Sequence, residues 1–352
     1  MPQRKLILRN WQCPGDIVMM TAAVRDLHLS YPGQFLTDVR TPCPQLWAHN
    51  PYITPLANSE APLFQCDYPL IWKANHEPWH FVHGFSDYLN EKLGLTIRTT
   101  AHRGDIYLTE AEKGQRTQVE EVVGQKVPYW LLVSGGKLDV TVKWWAAERH
   151  QAVIDHFAGR ILFVQVGNAG DEHPPLRGVV DLRGQTDLRQ LVRLVYHCQG
   201  CVSPISLLMH LAAAVPCDPY GPKNRPCVVI AGGREPPHWV AYPHHQFLHR
   251  VGALRCCDDG GCWKNRVVPL GDGDSRDRLE ERCVDVVELE DPSMKDPLVT
   301  HRYAKTSRVL PRCMHLVTVA DVVRAIELYF EGGALRYLMP EQSAASRPHV
   351  RD

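Results

Sequence analysis

One short stretch of the chain combines a turn with the start of a strongly apolar helix, and such a start can bind phosphate. The stretch runs from Val202 to Val215, where Pro204 disfavours helical conformation at the residue before it. Ser206 is predicted as the N-cap, with its side-chain oxygen accepting from an amide of the first turn. The free amides and the positive dipole end of such a helix start attract an anion. An ordinary buried helix is the alternative interpretation.

A carboxylate, Asp16, follows the first predicted strand. Residues 6–9 form a short apolar run, and residues 10–15 are rich in helix breakers before Asp16 opens a helix. Open α/β sheets bind ligands at the carboxyl ends of their strands, so Asp16 could serve as a base above a cleft. A carboxylate at a helix N-terminus also satisfies free amides, and spacing alone favours this structural role.

Strand and helix patterns alternate along most of the chain, which predicts a parallel sheet covered by helices on both faces. We expect an N-terminal Rossmann-like domain at 1–126 and a second at 127–338, with a cysteine-rich insertion at 255–313. The tail at 339–352 is expected to be disordered. In the second domain, Thr186 is predicted to cap a helix. Predicted strands lie at 6–9, 35–40, 130–133, 161–164, 179–182, 201–202 and 227–230.

Composition excludes several classes of partner. Lys plus Arg and Asp plus Glu are both 39 in 352 residues, so no net charge favours nucleic acid or an anionic membrane. No apolar run reaches the roughly 18 to 20 residues that span a bilayer. The short apolar run near the start predicts a strand rather than a signal peptide. We therefore expect a cytoplasmic protein, with any membrane association peripheral, whose cysteines are thiols or metal ligands rather than disulfides.

Aromatic and histidine residues are dense between Cys66 and Gly94. Residues such as Trp79 and Phe81 could form a surface that stacks against a sugar or binds an acceptor. Buried packing beneath a long loop explains the same composition.

The order of four motifs resembles the family 9 glycosyltransferases, the ADP-heptose:lipopolysaccharide heptosyltransferase-like proteins. The motifs are Gly15–Arg25, Lys143–Trp145, Asp181–Leu188 and Met209–Ala214, within a resemblance that covers roughly residues 5 to 330. The resemblance implies an α/β GT-B architecture, in which two Rossmann-like domains face each other across a cleft. The first would bind the acceptor and the second the nucleotide sugar.

The resemblance also implies roles for individual residues. Asp16 matches the family's proposed general base, and Lys143 matches a lysine that contacts the donor phosphates. Ser206 stands where the family usually has a threonine, and His210 matches the histidine of that helix. Where the family has Asp-Thr-Gly, this sequence has Ile205-Ser206-Leu207. Because the Asp and the Gly are missing, the resemblance does not fix which nucleotide sugar is the donor.

The chemistry of glycosyl transfer fits these residue types. A base must take the acceptor proton, and positive charge must stabilise the diphosphate leaving group. Lys143, Lys137 and the amides at Ser206 can supply that charge without a catalytic cofactor, with Thr186 and His210 as further donor-site candidates. Lys137 is equally explained as a solvated loop lysine, and His210 is better explained as a satisfied helix histidine.

A cysteine cluster begins at Cys256-Cys257 and continues through Cys262 to Cys283 and Cys313. Some members of the resembled family carry a four-cysteine iron site. Thiolates near a Gly-Gly turn can surround a tetrahedral zinc or iron ion, which would be structural because four thiolates leave no open position. The expected ligands are Cys257, Cys262, Cys283 and Cys313, with Cys256 able to replace Cys257. Separate buried thiols are the alternative, and they are also the preferred interpretation of the Cys198-x-x-Cys201 motif.

Together these patterns predict an inverting glycosyltransferase that moves a heptose or related sugar from a nucleotide-diphosphate sugar to a glycan, lipopolysaccharide-type or protein acceptor. Two other functions stay open. One is a sugar-nucleotide epimerase or hydrolase on the same fold. The other is a non-catalytic module that binds a nucleotide sugar, which the Ile205 departure supports.

Overall fold

The computed structural model of the protein describes residues 3–66, 71–219, 221–289 and 308–345. Within these ranges the architecture is mixed α/β, as predicted, with two parallel sheets and a small antiparallel pair. Four strands of the second sheet are buried along their whole length, as parallel strands covered on both faces are.

The first sheet has the strand order β2–β1–β3, and all its pairs are parallel. Its strands are β1 (Arg4–Arg9), β2 (Phe35–Arg40) and β3 (Leu63–Gln65). Helix α1 (Pro14–Ser30) connects β1 to β2 and is buried along most of its length. The bounds of β2 are those predicted from the sequence.

The second sheet has the order β6–β5–β4–β7–β8–β9, again entirely parallel. Its strands are β4 (Tyr129–Leu132), β5 (Leu162–Gln165), β6 (Val180–Asp181), β7 (Gly200–Pro204), β8 (Cys227–Gly232) and β9 (His245–His249). Leu132 pairs with both Gln165 and Val202, so the carboxyl ends of these strands meet at one edge. The antiparallel pair is β10 (Val286–Glu288) with β11 (Val309–Pro311).

The remaining α-helices are α2 (Val82–Leu93), α3 (Glu110–Gly114), α4 (Gln118–Val123), α5 (Ala147–His156), α6 (Leu188–His197), α7 (Leu207–Ala214), α8 (Pro237–Val240), α9 (Arg312–His315), α10 (Val319–Glu331) and α11 (Pro340–Ala345). Short 3-10 helices lie at Pro44–Trp47, Ile71–Asn75, Leu138–Lys143, Arg255–Cys257 and Ser275–Asp277. None of the helices among the described residues is long and apolar enough to cross a bilayer.

Two details of the sequence prediction are wrong. The N-cap of α6 is Asp187 rather than Thr186, because the Asp187 carboxylate accepts from the Gln190 amide at 2.7 Å while the Gln190 side chain accepts from the Asp187 amide. The tail is not wholly without structure, since α11 lies inside the segment expected to be disordered. Residues 346–352 of that segment lie outside the described residues.

The largest apolar core continues from the first sheet to the second. Helix α1 packs against α7, and the fully buried Met19 and Met209 both belong to this core. A second core lies on the other face of the second sheet, where α10 packs in the same apolar cluster as Trp130 and Phe163. Continuity of the larger core fixes the position of the start of α1 relative to the edge of the second sheet.

Candidate functional site

A cavity of about 660 Å³ lies where the carboxyl ends of β4, β5, β7 and β8 face the first turn of α1. All six residues predicted for catalysis or donor binding line this cavity. They are Asp16, Lys137, Lys143, Thr186, Ser206 and His210. Segments separated by almost two hundred residues thus meet at one site.

Asp16 is the third residue of α1, and its Oδ2 atom accepts from the Cys13 amide at 2.9 Å. This contact confirms the structural role that spacing favoured. Asp16 also lines the cavity, and its negative charge acts on Lys143 in the direction that raises the pKa of the lysine. The same carboxylate therefore serves the helix and faces the space in which Lys143 lies.

Lys143 ends the 3-10 helix Leu138–Lys143, and its Nζ atom lies 2.6 Å from Oε1 of Glu235. The Arg234 guanidinium contacts the same oxygen. Burial alone would raise the pKa of Glu235, but the charges of Lys143 and Arg234 hold it below its usual value. Burial lowers the pKa of Lys143, and the Glu235 and Asp16 charges oppose that effect. One ionised carboxylate is thus shared by two cations in the cavity wall.

Sequence analysis missed Glu235 and Arg234 as site residues. The signal for them was the pair Gly232-Gly233 at the end of the predicted strand at 227–230. In the structure this strand is β8, and the two charged residues follow it at the ligand-binding edge of the sheet.

The start of α7 faces the cavity through residues 205–208. Ser206 occupies the N-cap position, but its side chain makes no capping hydrogen bond. Its Oγ atom lies 2.7 Å from Oγ of Ser203, so the predicted side-chain cap is wrong. Because the Ser203 hydroxyl donates to the Pro204 carbonyl at 2.8 Å, the Ser206 hydroxyl is the donor in this pair.

His210 is buried in the contact between α7 and α1. Its Nδ1 atom lies 2.5 Å from the Tyr242 hydroxyl, which donates to Sδ of Met19 at 2.7 Å. Burial, followed by the charge of Lys143, lowers the pKa of His210 to about 3, so the ring is neutral. A Cβ atom on Gly15 would lie 2.8 Å from Cδ2 of this ring, and only glycine therefore allows the approach. His210 is the satisfied helix histidine that the sequence favoured, placed beside the turn that carries Asp16.

Lys137 bridges the two sides of the cavity mouth. Its Nζ atom donates to Sγ of Cys13 at 3.6 Å, although the two residues are 124 positions apart. The lysine follows Gly135-Gly136, where a Cβ atom on Gly135 would lie 2.2 Å from the Glu172 carbonyl oxygen. Close backbone packing therefore holds the loop that presents Lys137.

Three aromatic side chains, Phe81, Trp239 and Trp263, line the cavity between α1 and Arg234. Phe81 belongs to the aromatic-rich segment, and its ring stacks on Trp239 at 5.1 Å between centroids. Trp239 meets Trp263 edge to face at 5.6 Å. Sequence analysis did not single out Trp239 or Trp263, since neither lies in a recognisable motif.

Two cysteines of the cluster, Cys257 and Cys313, lie beside Gly233. A Cβ atom on Gly233 would lie 3.2 Å from Sγ of Cys257 and 3.6 Å from Sγ of Cys313. Burial, and then the neighbouring thiols, raises the pKa of Cys283 and of Cys313 to about 12. No group of three or more His, Cys, Asp or Glu side chains in the part of the chain that the structure describes is arranged to hold a metal ion.

The Cys198-x-x-Cys201 motif lies elsewhere, at the junction of α6 and β7. Its sulfurs are 3.8 Å apart and buried. Burial raises the pKa of both thiols well above the usual value, in agreement with the packing interpretation.

Comparison with known proteins shows which fold the chain has. No protein-family model matches the chain, and no curated protein matches it in sequence. Its structure, however, is similar to the iron-containing dodecameric glycosyltransferase TibC from enterotoxigenic E. coli, at 18% identity over 94% of this chain and 77% of TibC, with a TM-score of 0.58. The chain has the GT-B fold of the heptosyltransferases.

Two further solved structures share this fold. A family 9 glycosyltransferase from Veillonella parvula is 16% identical over 70% of this chain and 86% of its own, with a TM-score of 0.53. The E. coli ADP-heptose LPS heptosyltransferase II is 14% identical over 94% of this chain and 100% of its own, with a TM-score of 0.51. The resemblance drawn from four sequence motifs is thus confirmed at the level of the fold.

Proposed function

We propose that this protein is an inverting glycosyltransferase that uses a nucleotide-diphosphate sugar. The observation that carries the proposal is one cavity lined by the Asp16 carboxylate, the Lys143 ammonium and the start of α7. A base and an anion-binding wall facing one space are the two parts that the reaction needs.

In the proposed reaction, Asp16 takes the proton of an acceptor hydroxyl as its oxygen attacks the anomeric carbon of the donor. The bond from that carbon to the diphosphate oxygen breaks as the new bond forms, so the configuration inverts. Lys143 and Lys137 take up the negative charge on the leaving diphosphate, together with the amides at the start of α7. His210 is neutral and packs behind this start, where it holds the turn of Asp16 in place.

The donor is proposed to be ADP-heptose or a related nucleotide sugar. TibC, which shares this fold, has been solved in complex with ADP-D-β-D-heptose. Residues 166–168 and 186–188 line the cavity after β5 and at the start of α6, and we place the nucleoside there. In this arrangement residues 1–126 bind the acceptor, which is a glycan, lipopolysaccharide or protein, and residues 127–338 bind the donor. We propose that the reaction takes place in the cytoplasm.

A structural zinc or iron ion is a separate part of the proposal. Four sulfur ligands suit either metal. Cys257 and Cys313 lie beside Gly233 after β8, and the charges of Cys313 and Cys262 act on Cys283. The four proposed ligands, Cys257, Cys262, Cys283 and Cys313, therefore belong to one region, although the described residues are not arranged as a metal site. Burial raises the pKa of Cys262, Cys283 and Cys313, so these three thiols would need a cation beside them to ionise together. The apolar core beside them, around Val142 and Val267, is small, so a metal would contribute substantially to holding this region.

Calorimetric titration with ADP-heptose tests the proposed function, with UDP-glucose and GDP-mannose as alternative donors. We expect the wild type to bind one of these nucleotide sugars. The Lys143→Gln variant should bind the same nucleotide sugar at least tenfold more weakly. The exposed Lys92→Gln serves as the charge-matched control. Absence of binding by every nucleotide sugar would reject the proposal. Product analysis without an acceptor separates transfer from hydrolysis and epimerisation.

A further inference from the structure

The aromatic row Phe81–Trp239–Trp263 joins the two chemically active ends of the cavity. Its first ring lies 6.0 Å from His210, which packs against Gly15 beside Asp16. At its other end, Cζ of Arg234 lies 5.7 Å from the centroid of the Trp263 ring. Arg234 shares the Glu235 carboxylate with Lys143, so the row connects the surroundings of the proposed base with those of Lys143.

Trp263 has a backbone conformation that a bulky residue rarely adopts, with φ of 55°. Such a conformation persists only where surrounding contacts impose it. The Trp263 amide donates to the Arg234 carbonyl at 3.1 Å. Its indole Nε1 donates to Oδ1 of Asn75 at 2.8 Å. Both ends of the residue are thus fixed.

Asn75 comes from the first part of the chain and makes three contacts with the loop 260–263. Besides Trp263, its Oδ1 accepts from the Gly261 amide at 3.1 Å, and its Nδ2 donates to the Gly261 carbonyl at 3.0 Å. The side-chain amide therefore pairs with the loop as a second backbone segment would.

Both glycines of this loop are needed, because a side chain at either position would collide with a neighbouring residue. A Cβ atom on Gly260 would lie 2.8 Å from Cγ of Asn75, and one on Gly261 would lie 2.4 Å from the Arg234 carbonyl oxygen. Gly260 also has φ of 112°, which L side chains rarely adopt. The sequence of the loop thus serves to bring Trp263 to the cavity wall against Asn75.

We propose that Trp263 contacts the transferred sugar of the donor, and that Asn75 is the positioning residue that holds Trp263 there. The inference rests on the proposed function. The transferred sugar has to lie between the base and the diphosphate, and Trp263 belongs to the row that connects those two groups. A flat indole face suits the C–H face of a sugar ring, and we place the nucleoside beside the end of β5 and the start of α6 instead.

Comparison of two probes, ADP and ADP-heptose, tests this assignment by calorimetry on the full chain. Trp263→Ala is expected to weaken ADP-heptose binding about tenfold, the effect of losing one good aromatic contact, while ADP binding stays within about twofold. Trp263→Phe keeps a ring and is expected to recover most of that loss. Asn75→Ala is expected to weaken ADP-heptose selectively, but to add little when Trp263 is already alanine.

Asn90→Ala is the matched control, because Asn90 also accepts from a backbone amide, that of Ile97 at 2.7 Å, but does not line the cavity. Equal loss of ADP and ADP-heptose in Trp263→Ala would overturn the sugar contact. Wild-type binding of both probes in Trp263→Ala and Asn75→Ala would overturn the inference and leave the proposed function standing. Failure of the wild type to bind either probe would reject the ADP-heptose site and this inference with it.

Discussion

Lys143 and Glu235 form an ion pair of 2.6 Å in the wall of the cavity, between the end of a 3-10 helix and the loop after β8. Arg234 contacts the same carboxylate. The carboxylate is almost fully buried, so it depends on both cations for its ionised state. Two positive groups around one negative group leave a net positive charge beside the cavity.

Removing the carboxylate alone should therefore destabilise the protein. Glu235→Gln leaves Lys143 and Arg234 facing each other without their shared partner, and we expect the free energy of unfolding to fall by about 3 kcal/mol. The double variant Lys143→Met with Glu235→Gln should lose less, because one of the two uncompensated cations is gone. Urea unfolding measures both, with the exposed Glu91→Gln as control. A single variant as stable as the wild type would show that the ion pair has no structural role.

The approach of α1 to α7 should depend on Gly15. In Gly15→Ala the new Cβ atom would meet the His210 ring at 2.8 Å, and overpacking of this kind costs about 1 to 3 kcal/mol. Because the displaced turn carries Asp16, we also expect sugar transfer to fall. Gly114→Ala is a matched control in a helix, since no atom lies within 4 Å of the position a Cβ would take there. Equal melting temperatures for the two variants would contradict the packing argument.

Buried histidines should make the protein sensitive to acid. Burial lowers the pKa of His80 and His150 to about 4 and that of His210 to about 3, from 6.5. From about pH 6 down to about pH 5 the unfolded chain binds most of these three protons and the folded chain binds almost none, so the free energy of unfolding falls as the pH falls. Each group contributes about 1.4 kcal/mol per pH unit in that window.

Urea unfolding at intervals of half a pH unit measures this slope. The His150→Phe variant should reduce the slope of unfolding free energy against pH by the contribution of one group. The His76→Phe variant, at an exposed position, is the control, and its slope should equal that of the wild type. A wild-type free energy of unfolding that is constant from pH 6 to pH 4 would contradict the prediction.

The sequence was sufficient for features that depend on local patterns. Strand β2 was predicted to the residue because its apolar run is bounded by turn residues. All six residues proposed for catalysis or donor binding line the cavity, because most of them follow a predicted strand or lie near the start of a helix.

Features that depend on contacts distant in sequence were not predictable. Asn75 and Trp263 are 188 positions apart, and no local pattern indicates that one holds the other. The Ser206 cap failed for a different reason: the Ser203 hydroxyl donates to the Pro204 carbonyl, and the Ser206 hydroxyl donates to Ser203 instead of capping the helix. Thr186 was likewise displaced as the cap by the adjacent carboxylate of Asp187.

A metal bound by the cysteine cluster should be lost when one of its ligands is removed. For protein purified without a histidine tag, we expect elemental analysis to find about one equivalent of zinc or iron, the content of a single four-thiolate site. Cys283→Ala should lower this content severalfold, whereas Cys66→Ala, a buried cysteine outside the cluster, should not. A content of less than about a tenth of an equivalent in the wild type would show that the cysteine cluster does not bind a metal.

The rate of sugar transfer by Asp16→Asn tests the central claim most directly. The measurement is release of ADP from ADP-heptose in the presence of lipopolysaccharide that lacks heptose, with donor affinity determined in parallel. An asparagine can still accept from the Cys13 amide, so the fold should survive, while loss of the base should slow transfer by about 10² to 10⁴ at unchanged donor affinity. Glu120→Gln, which alters the same position of the capping box in α4, should transfer at the wild-type rate. Transfer by a folded Asp16→Asn protein at the wild-type rate would contradict the assignment of Asp16 as the base.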